Sequence, residues 1–235
     1  MRPWALLVVC FLSCSLPGAG ATKAAFAYSE GQTIHIADAH GHPVAVLRVP
    51  ERIGTFSIDS TANHVAVQTY GNYGGELLWC SMEKQSCKRL THGPYYFGSE
   101  TESREVYADP SLDPTGSLVA FAVRTEFRNP AQAKEEDIVE ASGPLAVMDI
   151  PKKQVRILRA TLDKSAGGPF FANSPVWSPD GTRILFCFEV GGAISDASGT
   201  RLQDLSDAMA GSAKDSYTQP LMWLSNEARG LAISL

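Results

Sequence analysis

The chain contains 235 residues, of which 44% are hydrophobic and 19% are charged. This apolar content can form a substantial core and argues against a disordered chain. Lys and Arg total 20 against 25 Asp and Glu, which gives a formal net charge of -5. Because no basic run is present, nucleic acid and anionic membrane surfaces are poor candidates for the main partner. The 20 glycines and 14 prolines favour a turn-rich, all-β protein.

The N-terminal residues have the pattern of a secretory signal peptide. Arg2 precedes an apolar run over residues 4–16, and small residues follow it up to Ala21. This order of charged start, apolar run and small-residue end predicts that residues 1–21 are removed on export. The run is short for crossing a bilayer, and no other segment is long and apolar enough to span one.

Residues 22–235 are therefore expected to form the folded domain of an exported protein, periplasmic or secreted. No membrane span is expected after signal cleavage. A weak lipobox over residues 11–14 leaves open a second possibility, in which Cys14 carries a lipid anchor.

A repeated hairpin pattern runs through the rest of the chain. Each copy has an apolar strand, a tight polar turn and a second apolar strand. Asp113-Pro-Thr-Gly116 and Ser178-Pro-Asp-Gly181 are strong turn sequences, since proline and glycine favour the backbone angles that such turns need. The copies span residues 56–67, 110–121 and 175–186, with a degenerate fourth over 219–235.

A second, smaller pattern follows each hairpin: a strand that enters a tight turn, and a strand that returns. Residues 34–41 and 193–199 are its clearest copies. One unit is thus four antiparallel strands, here A to D. The first unit begins at Ala24 without its own A strand, and the last has only two strands. The expected total is seventeen strands in groups of three, four, four, four and two.

The segment Pro175-Val-Trp-Ser-Pro-Asp-Gly-Thr-Arg-Ile-Leu-Phe186 resembles the repeat of the TolB-like β-propellers, a family of WD40-like periplasmic propellers. The resemblance extends over most of residues 24–235. It implies a β-propeller of four-stranded antiparallel blades in an exported protein. Relatives include the Tol-system translocation protein, which binds other proteins, and propeller domains attached to serine peptidases.

The expected strand number corresponds to about four blades, whereas a TolB-like propeller usually has six. Two arrangements are open. Either a strand at 219–224 completes the first blade and closes a small ring, or the chain is part of a larger, six-bladed type of propeller.

The longest predicted connections fall at one end of the blades. In an antiparallel unit the B–C and D–A loops share an end, and they include 93–107, 127–143 and 161–173. Long loops on a rigid scaffold are common binding sites, and aromatic and arginine side chains dominate binding hot spots. The candidate binding residues, for a protein or peptide partner, are Tyr70 and Tyr73 in the connection 69–76, Tyr95, Tyr96 and Phe97 in 93–107, and Arg128 in 127–143.

The cysteines suggest one disulfide. Counting outward from a turn at Glu83-Lys84 places Cys80 opposite Cys87, within disulfide range in a hairpin. Two reduced thiols are the alternative. Cys187 alternates with apolar residues and is expected in the core.

The sequence contains no catalytic or cofactor motif. Gly-x-Ser-x-Gly, a phosphate loop, a dinucleotide fingerprint and His-Glu-x-x-His are all absent. His35, His40 and His42 are close in sequence, but solvated turn histidines explain them better than a metal site. We therefore predict no catalytic residue, no metal and no cofactor.

The predicted function is an exported, non-catalytic propeller scaffold that binds a protein or peptide through its B–C/D–A end. The alternatives are a propeller that accompanies, or remains from, a serine-peptidase-type hydrolase, and a glycan-binding propeller. Acidic groups clustered at the channel would favour glycans, whereas an aromatic, uncharged mouth would favour peptides.

Overall fold

The computed structural model describes residues 24–71, 74–91, 102–128, 138–158, 172–188, 191–200, 202–205, 219–223 and 230–233. The regular elements within these ranges are β-strands, 17 in number, and they form five antiparallel sheets. The sheets contain three, four, four, four and two strands in chain order. The predicted all-β fold of four-stranded antiparallel blades is therefore confirmed.

We number the sheets as blades 1 to 5. Blade 1 contains β1 (Ala24–Glu30), β2 (Thr33–Asp38) and β3 (Pro43–Arg48). Blade 2 contains β4 (Ile53–Ile58), β5 (His64–Gly71), β6 (Gly74–Ser81) and β7 (Ser86–Arg89).

Blades 3 to 5 continue the same order. Blade 3 contains β8 (Glu102–Leu112), β9 (Leu118–Arg128), β10 (Ile138–Asp149) and β11 (Gln154–Ile157). Blade 4 contains β12 (Asn173–Trp177), β13 (Arg183–Phe188), β14 (Gly191–Asp196) and β15 (Leu202–Asp204). Blade 5 contains β16 (Gln219–Trp223) and β17 (Gly230–Ile233).

The blades are arranged radially about their A strands. β4 contacts β8, β8 contacts β12 and β12 contacts β16, so these strands lie side by side on the inside of the arc. Each D strand lies at the opposite edge of its sheet. This order places short strands with exposed side chains, such as β11, on the outer rim.

Within the described ranges, the core consists of three layers, each between two successive blades. Ile34 of blade 1 packs with Val67 of blade 2 in the first layer. Leu77 and Phe121 belong to the layer between blades 2 and 3, and Leu145 and Phe186 to the layer between blades 3 and 4. β9 and β13 have apolar residues on both faces because each of these strands is buried on both sides.

The A–B turns are held by their own side chains, as their sequences indicate. Asp113 accepts hydrogen bonds from the backbone N–H groups of Ser117, at 2.8 Å, and Leu118, at 2.6 Å. Gly116 has a φ of 73° and Gly181 a φ of 70°, in the left-handed region that favours glycine.

In blade 4 two residues share this role: the Ser178 hydroxyl accepts a hydrogen bond from the Arg183 N–H at 3.0 Å, and Asp180 bonds to Ser178 and Thr182. The Asp180 Oδ1 atom accepts hydrogen bonds from the Ser178 hydroxyl at 2.6 Å and from the Thr182 N–H at 3.0 Å. These hydrogen bonds lower the pKa of Asp180 from 3.8 to about 2, and the bond from the Ser178 hydroxyl has the largest effect.

The variant Asp180→Ala tests this turn. The lowered pKa means that the carboxylate stabilises the fold above pH 3.8, and that this contribution is lost as the pH falls toward about 2. We expect the variant to melt roughly 2 to 4 °C below the wild type at pH 7 and to approach it near pH 2. Glu83→Ala, which removes an exposed acid in another turn, is the control. A melting difference that does not change with pH contradicts this account.

The two cysteines of blade 2 are joined. Cys80 on β6 lies directly opposite Cys87 on β7, and their Sγ atoms are 2.08 Å apart. These are the positions that the hairpin count paired. Cys80 is buried in the layer between blades 1 and 2, and Cys87 is partly buried beside it.

Cys187 is the free cysteine among the described residues and lies in the core, as predicted. Burial, with a smaller effect of the Asp109 charge, raises the pKa of its thiol to about 12. The thiolate, which is the reactive form, is therefore not populated at neutral pH.

Replacing both joined cysteines by serine measures what the disulfide contributes. For a closure of this length we expect Cys80→Ser with Cys87→Ser to lower the free energy of unfolding by about 2–3 kcal/mol. Urea unfolding measures the change, and wild-type protein under reducing conditions should match the double variant. Equal midpoints for the oxidised wild type and the double variant would show that the cross-link adds no stability.

The predicted connections 93–107 and 127–143 both contain strand residues. β8 begins at Glu102, within the predicted loop 93–107. β9 runs to Arg128 and β10 begins at Ile138, so the predicted loop 127–143 reduces to residues 129–137. The reason is continuous backbone pairing: Arg128 is paired with both Glu102 and Ile138. Because backbone groups form these hydrogen bonds, the polar side chains of these segments do not end the strands.

Of the two arrangements that the sequence left open, completion of the first blade by a strand at 219–224 is not the one that the described residues adopt. β16 pairs with β17 and contacts blade 4, while β1 pairs with β2. The predicted signal peptide, residues 1–21, lies outside the described residues. Among those described, no helix is long and apolar enough to cross a membrane.

Candidate functional site

The B–C and D–A connections lie at one end of the blades, which we call the loop end. At this end lie residues 49–52 between β3 and β4, the paired ends of β5 and β6 at Gly71 and Gly74, and the paired ends of β9 and β10 at Arg128 and Ile138. The A–B turns, such as 113–117, lie at the opposite end, which we call the turn end. This follows from the antiparallel order of the strands within each blade.

Tyr70 is a large exposed aromatic residue at the loop end. The residue is 56% exposed, although residues 65–69 before it in β5 are buried. The ring lies over Gly54, where an added Cβ atom would be 2.6 Å from Tyr70 Cε2. The Tyr70 N–H donates to the Arg52 carbonyl oxygen at 2.9 Å. Tyr70 is thus anchored to the neighbouring strand while one side of its ring faces solvent.

The expected location of Tyr70 in a loop was wrong. β5 and β6 stay paired as far as Gly71 and Gly74, and Tyr70 is paired with Gly75. The connection is therefore residues 72–73 and not 69–76.

The structure places Arg128 at the end of β9, not in a loop, and its backbone is paired on both sides. The remaining candidates, Tyr73, Tyr95, Tyr96 and Phe97, lie outside the described residues. Their proximity to Tyr70 stays a prediction.

Blade 3 extends farther than blade 2 at the loop end. The repeated hairpins place Arg124 of β9 at the position equivalent to Tyr70 of β5. Beyond it, β9 continues to Arg128, paired with β8 and β10. The paired strands of blade 3 therefore continue beyond the level that corresponds to Tyr70 in blade 2.

A charged cluster lies at the same end of blade 2. Arg89, the last residue of β7, forms ion pairs with both Glu51 and Glu76. The Thr69 hydroxyl donates to Glu51 Oε2 at 2.8 Å. The Glu76 side chain is only 6% exposed, so its charge depends on the guanidinium for compensation.

A second polar network links blades 2 and 3 near their A strands. Gln68 Oε1 accepts hydrogen bonds from the Thr55 hydroxyl at 2.8 Å and from the Asp109 N–H at 3.2 Å. The Asp109 carboxylate accepts a hydrogen bond from Arg124 at 2.7 Å. Asp109 has a φ of 52° within a bulge of β8, so this contact accompanies a bend in the strand.

Sequence reasoning missed both groups. Glu76 and Gln68 are polar residues in otherwise apolar strands, and this was the signal that could have identified them. Arg89 and Glu51 are 38 residues apart in sequence, and their pairing becomes visible only in the fold.

His64, the first residue of β5, lies at the turn end. Its Nδ1 atom is 2.7 Å from the buried Asp59 carboxylate, and its ring stacks on Trp79 at 4.7 Å. The Trp79 indole N–H donates to the Gly116 carbonyl oxygen at 3.2 Å. A Cβ atom at Gly116 would be 2.6 Å from His64 Nδ1, so this glycine lets blade 3 approach the pair.

The histidines of blade 1 do not gather into a ligand set. His42 Nδ1 lies 3.1 Å from Asp38, whose other oxygen accepts the N–H groups of His40 and His42. Within the ranges that the structure describes, no group of three or more His, Cys, Asp or Glu side chains could hold a metal ion.

The variant Arg89→Ala tests the charged cluster. Removing the guanidinium leaves the buried Glu76 carboxylate uncompensated, and we expect the free energy of unfolding to fall by about 1–3 kcal/mol. Adding Glu76→Gln should recover part of the loss, because the amide carries no charge. Arg52→Ala, at an exposed arginine of the same end, is the matched control in urea unfolding. Equal losses for Arg89→Ala and Arg52→Ala would contradict the pairing.

Comparisons with known proteins agree with this architecture. No protein-family model matches the sequence, and no curated protein matches it. Among solved structures, TolB from Acinetobacter baumannii matches with a TM-score of 0.50 and 16% identity, covering 86% of this chain and 44% of that chain.

Two further solved structures match with lower scores. The putative TolB from Agrobacterium tumefaciens has a TM-score of 0.44 and 11% identity, covering 77% of this chain and 57% of that chain. The β-propeller domain of Myceliophteria thermophila Cps50 (Swd1) has a TM-score of 0.43 and 13% identity, covering 86% of this chain and 55% of that chain.

The chain spans about half the length of the solved structures that it matches. Its fold is that of a β-propeller with blades of the TolB type. The resemblance that the repeat sequence indicated is thereby confirmed at the level of the fold.

Proposed function

We propose that this protein is a non-catalytic binding scaffold that holds a protein or peptide segment at its loop end. The observation that carries the proposal is Tyr70, a residue that is 56% exposed although its backbone is fixed in a strand. An exposed aromatic side chain on a rigid strand loses little conformational entropy on binding, which is typical of hot-spot residues.

The chemistry around Tyr70 favours a peptide over a glycan. Glu51 and Glu76 are both engaged by Arg89, and Asp109 is engaged by Arg124. These carboxylates are therefore compensated by arginines rather than gathered as an acidic cluster. A protein segment can combine an apolar contact on the tyrosine ring with hydrogen bonds to partly exposed arginines.

Selection from a displayed peptide library tests the proposal directly. The wild-type protein is the bait, and the affinity of the selected peptides is then measured for Tyr70→Ala. We expect affinity to fall by roughly tenfold or more, as for other aromatic hot spots. The melting temperature should stay close to that of the wild type, because Tyr70 is an exposed residue.

Two variants make the result interpretable. Val155→Ala removes an exposed side chain on the outer strand β11 and should leave peptide affinity unchanged. Gly54→Ala should displace the ring of Tyr70 and weaken binding without removing it. If Tyr70→Ala binds the selected peptides as tightly as the wild type, the proposed site is wrong.

We also propose that the protein is exported and acts outside the cytoplasm. The signal-peptide pattern of residues 1–21 supports this, as does a disulfide between Cys80 and Cys87, since disulfides persist in oxidising compartments. N-terminal sequencing of the protein from its native compartment should begin near Thr22. An intact Met1, or a lipid-modified Cys14 as the first residue, would contradict cleavage at this site.

A further inference from the structure

One face of blade 1 is apolar and exposed. Paired residues of an antiparallel sheet lie on the same face, and the row Tyr28, His35 and Val46 crosses all three strands. Val46 is 43% exposed and Val44, two residues earlier on β3, is 39% exposed. The Tyr28 and His35 rings are stacked at 4.8 Å, so the row is ordered by its own contacts.

The opposite face of the same sheet is buried against blade 2. Ile34, Ile36 and Leu47 alternate with the exposed residues and are almost completely buried. In blade 2, the face that corresponds to the exposed one carries Val65 and Val67, which are buried by blade 1. The exposed face of blade 1 thus has the position and the apolar character of a blade–blade interface.

Charges of opposite sign border this face. Glu30, Thr33 and Arg48 form the next row, with Glu30 on β1 and Arg48 on β3. Both charged residues are exposed, and the width of one strand separates them. The row therefore has an acid at one edge of the sheet and a base at the other, beside an apolar centre.

This arrangement is complementary to itself. A two-fold axis parallel to the strands, midway between two facing sheets, places β1 of one copy over β3 of the other. Glu30 of each copy then faces Arg48 of the other, and Tyr28 of each faces Val46 of the other. The two-fold rotation therefore forms two Glu30–Arg48 pairs and two Tyr28–Val46 contacts.

We propose that a second copy of this chain packs face to face on blade 1 through Tyr28, His35, Val44 and Val46, with reciprocal Glu30–Arg48 pairs. The interface borders the loop end of blade 1 through Glu30 and Arg48 but does not include Tyr70 of blade 2, so the dimer presents two copies of the proposed binding site. Its existence does not depend on the proposed function.

The first experiment measures molar mass by light scattering over a range up to about 100 µM, a concentration at which weak specific dimers are populated. We expect a dimer for the wild type and a monomer for Val46→Asp. Val155→Asp is the matched control, since Val155 is a 52% exposed valine on another outer strand. A monomeric wild type, or a Val46→Asp protein that stays dimeric, would overturn the proposal.

The second experiment tests the geometry by exchanging charges. Glu30→Arg and Arg48→Glu each create two like-charge contacts in the symmetric dimer and should raise its dissociation constant on the order of tenfold. Combining the two substitutions restores opposite charges and should return the constant to near the wild-type value. Melting curves check that each variant is folded. Failure of the folded double variant to recover would overturn the proposed two-fold packing.

Discussion

The structure depends on the packing of each blade on the next, joined by hydrogen bonds between neighbouring A strands. The Leu112 N–H donates to the Ser57 hydroxyl at 2.8 Å, and the Trp177 indole N–H donates to the Ser111 carbonyl oxygen at 3.0 Å. A tryptophan can be buried here because its polar atom has a partner on the neighbouring blade. These contacts fix the spacing of the blades on the inside of the arc, and so they set where the loop end of each blade lies.

The proposed binding function follows from this rigidity. Tyr70 is held over Gly54 by the pairing of β5, and the neighbouring charges are compensated by Arg89 and Arg124. The loop end can therefore offer an exposed ring without a large unpaired charge. The apolar face of blade 1 has a different character, since it repeats an internal interface. The two surfaces use different residues: Tyr70 belongs to blade 2, whereas the apolar face belongs to blade 1.

The sequence predicted the fold well because each repeated hairpin is determined by turn residues that are close together in the sequence. Asp113 and Asp180 bond to nearby backbone groups, and the disulfide joins residues that the hairpin count had paired. The ends of β8, β9 and β10 were not predictable, because their polar residues continue the strands through main-chain pairing. The Arg89 cluster was also not predictable, since its members meet only when three strands and a connection come together.

The most direct test of this account is hydrogen–deuterium exchange of the segment 64–71, resolved by peptide mass spectrometry. The account requires Tyr70 to be part of β5, with its N–H donating to Arg52. We predict that this segment is protected to the same extent as the central part of β9, since both belong to one packed unit. Exchange of the Tyr70 amide at the rate of an unfolded chain, while β9 stays protected, would contradict a rigid binding face at the loop end.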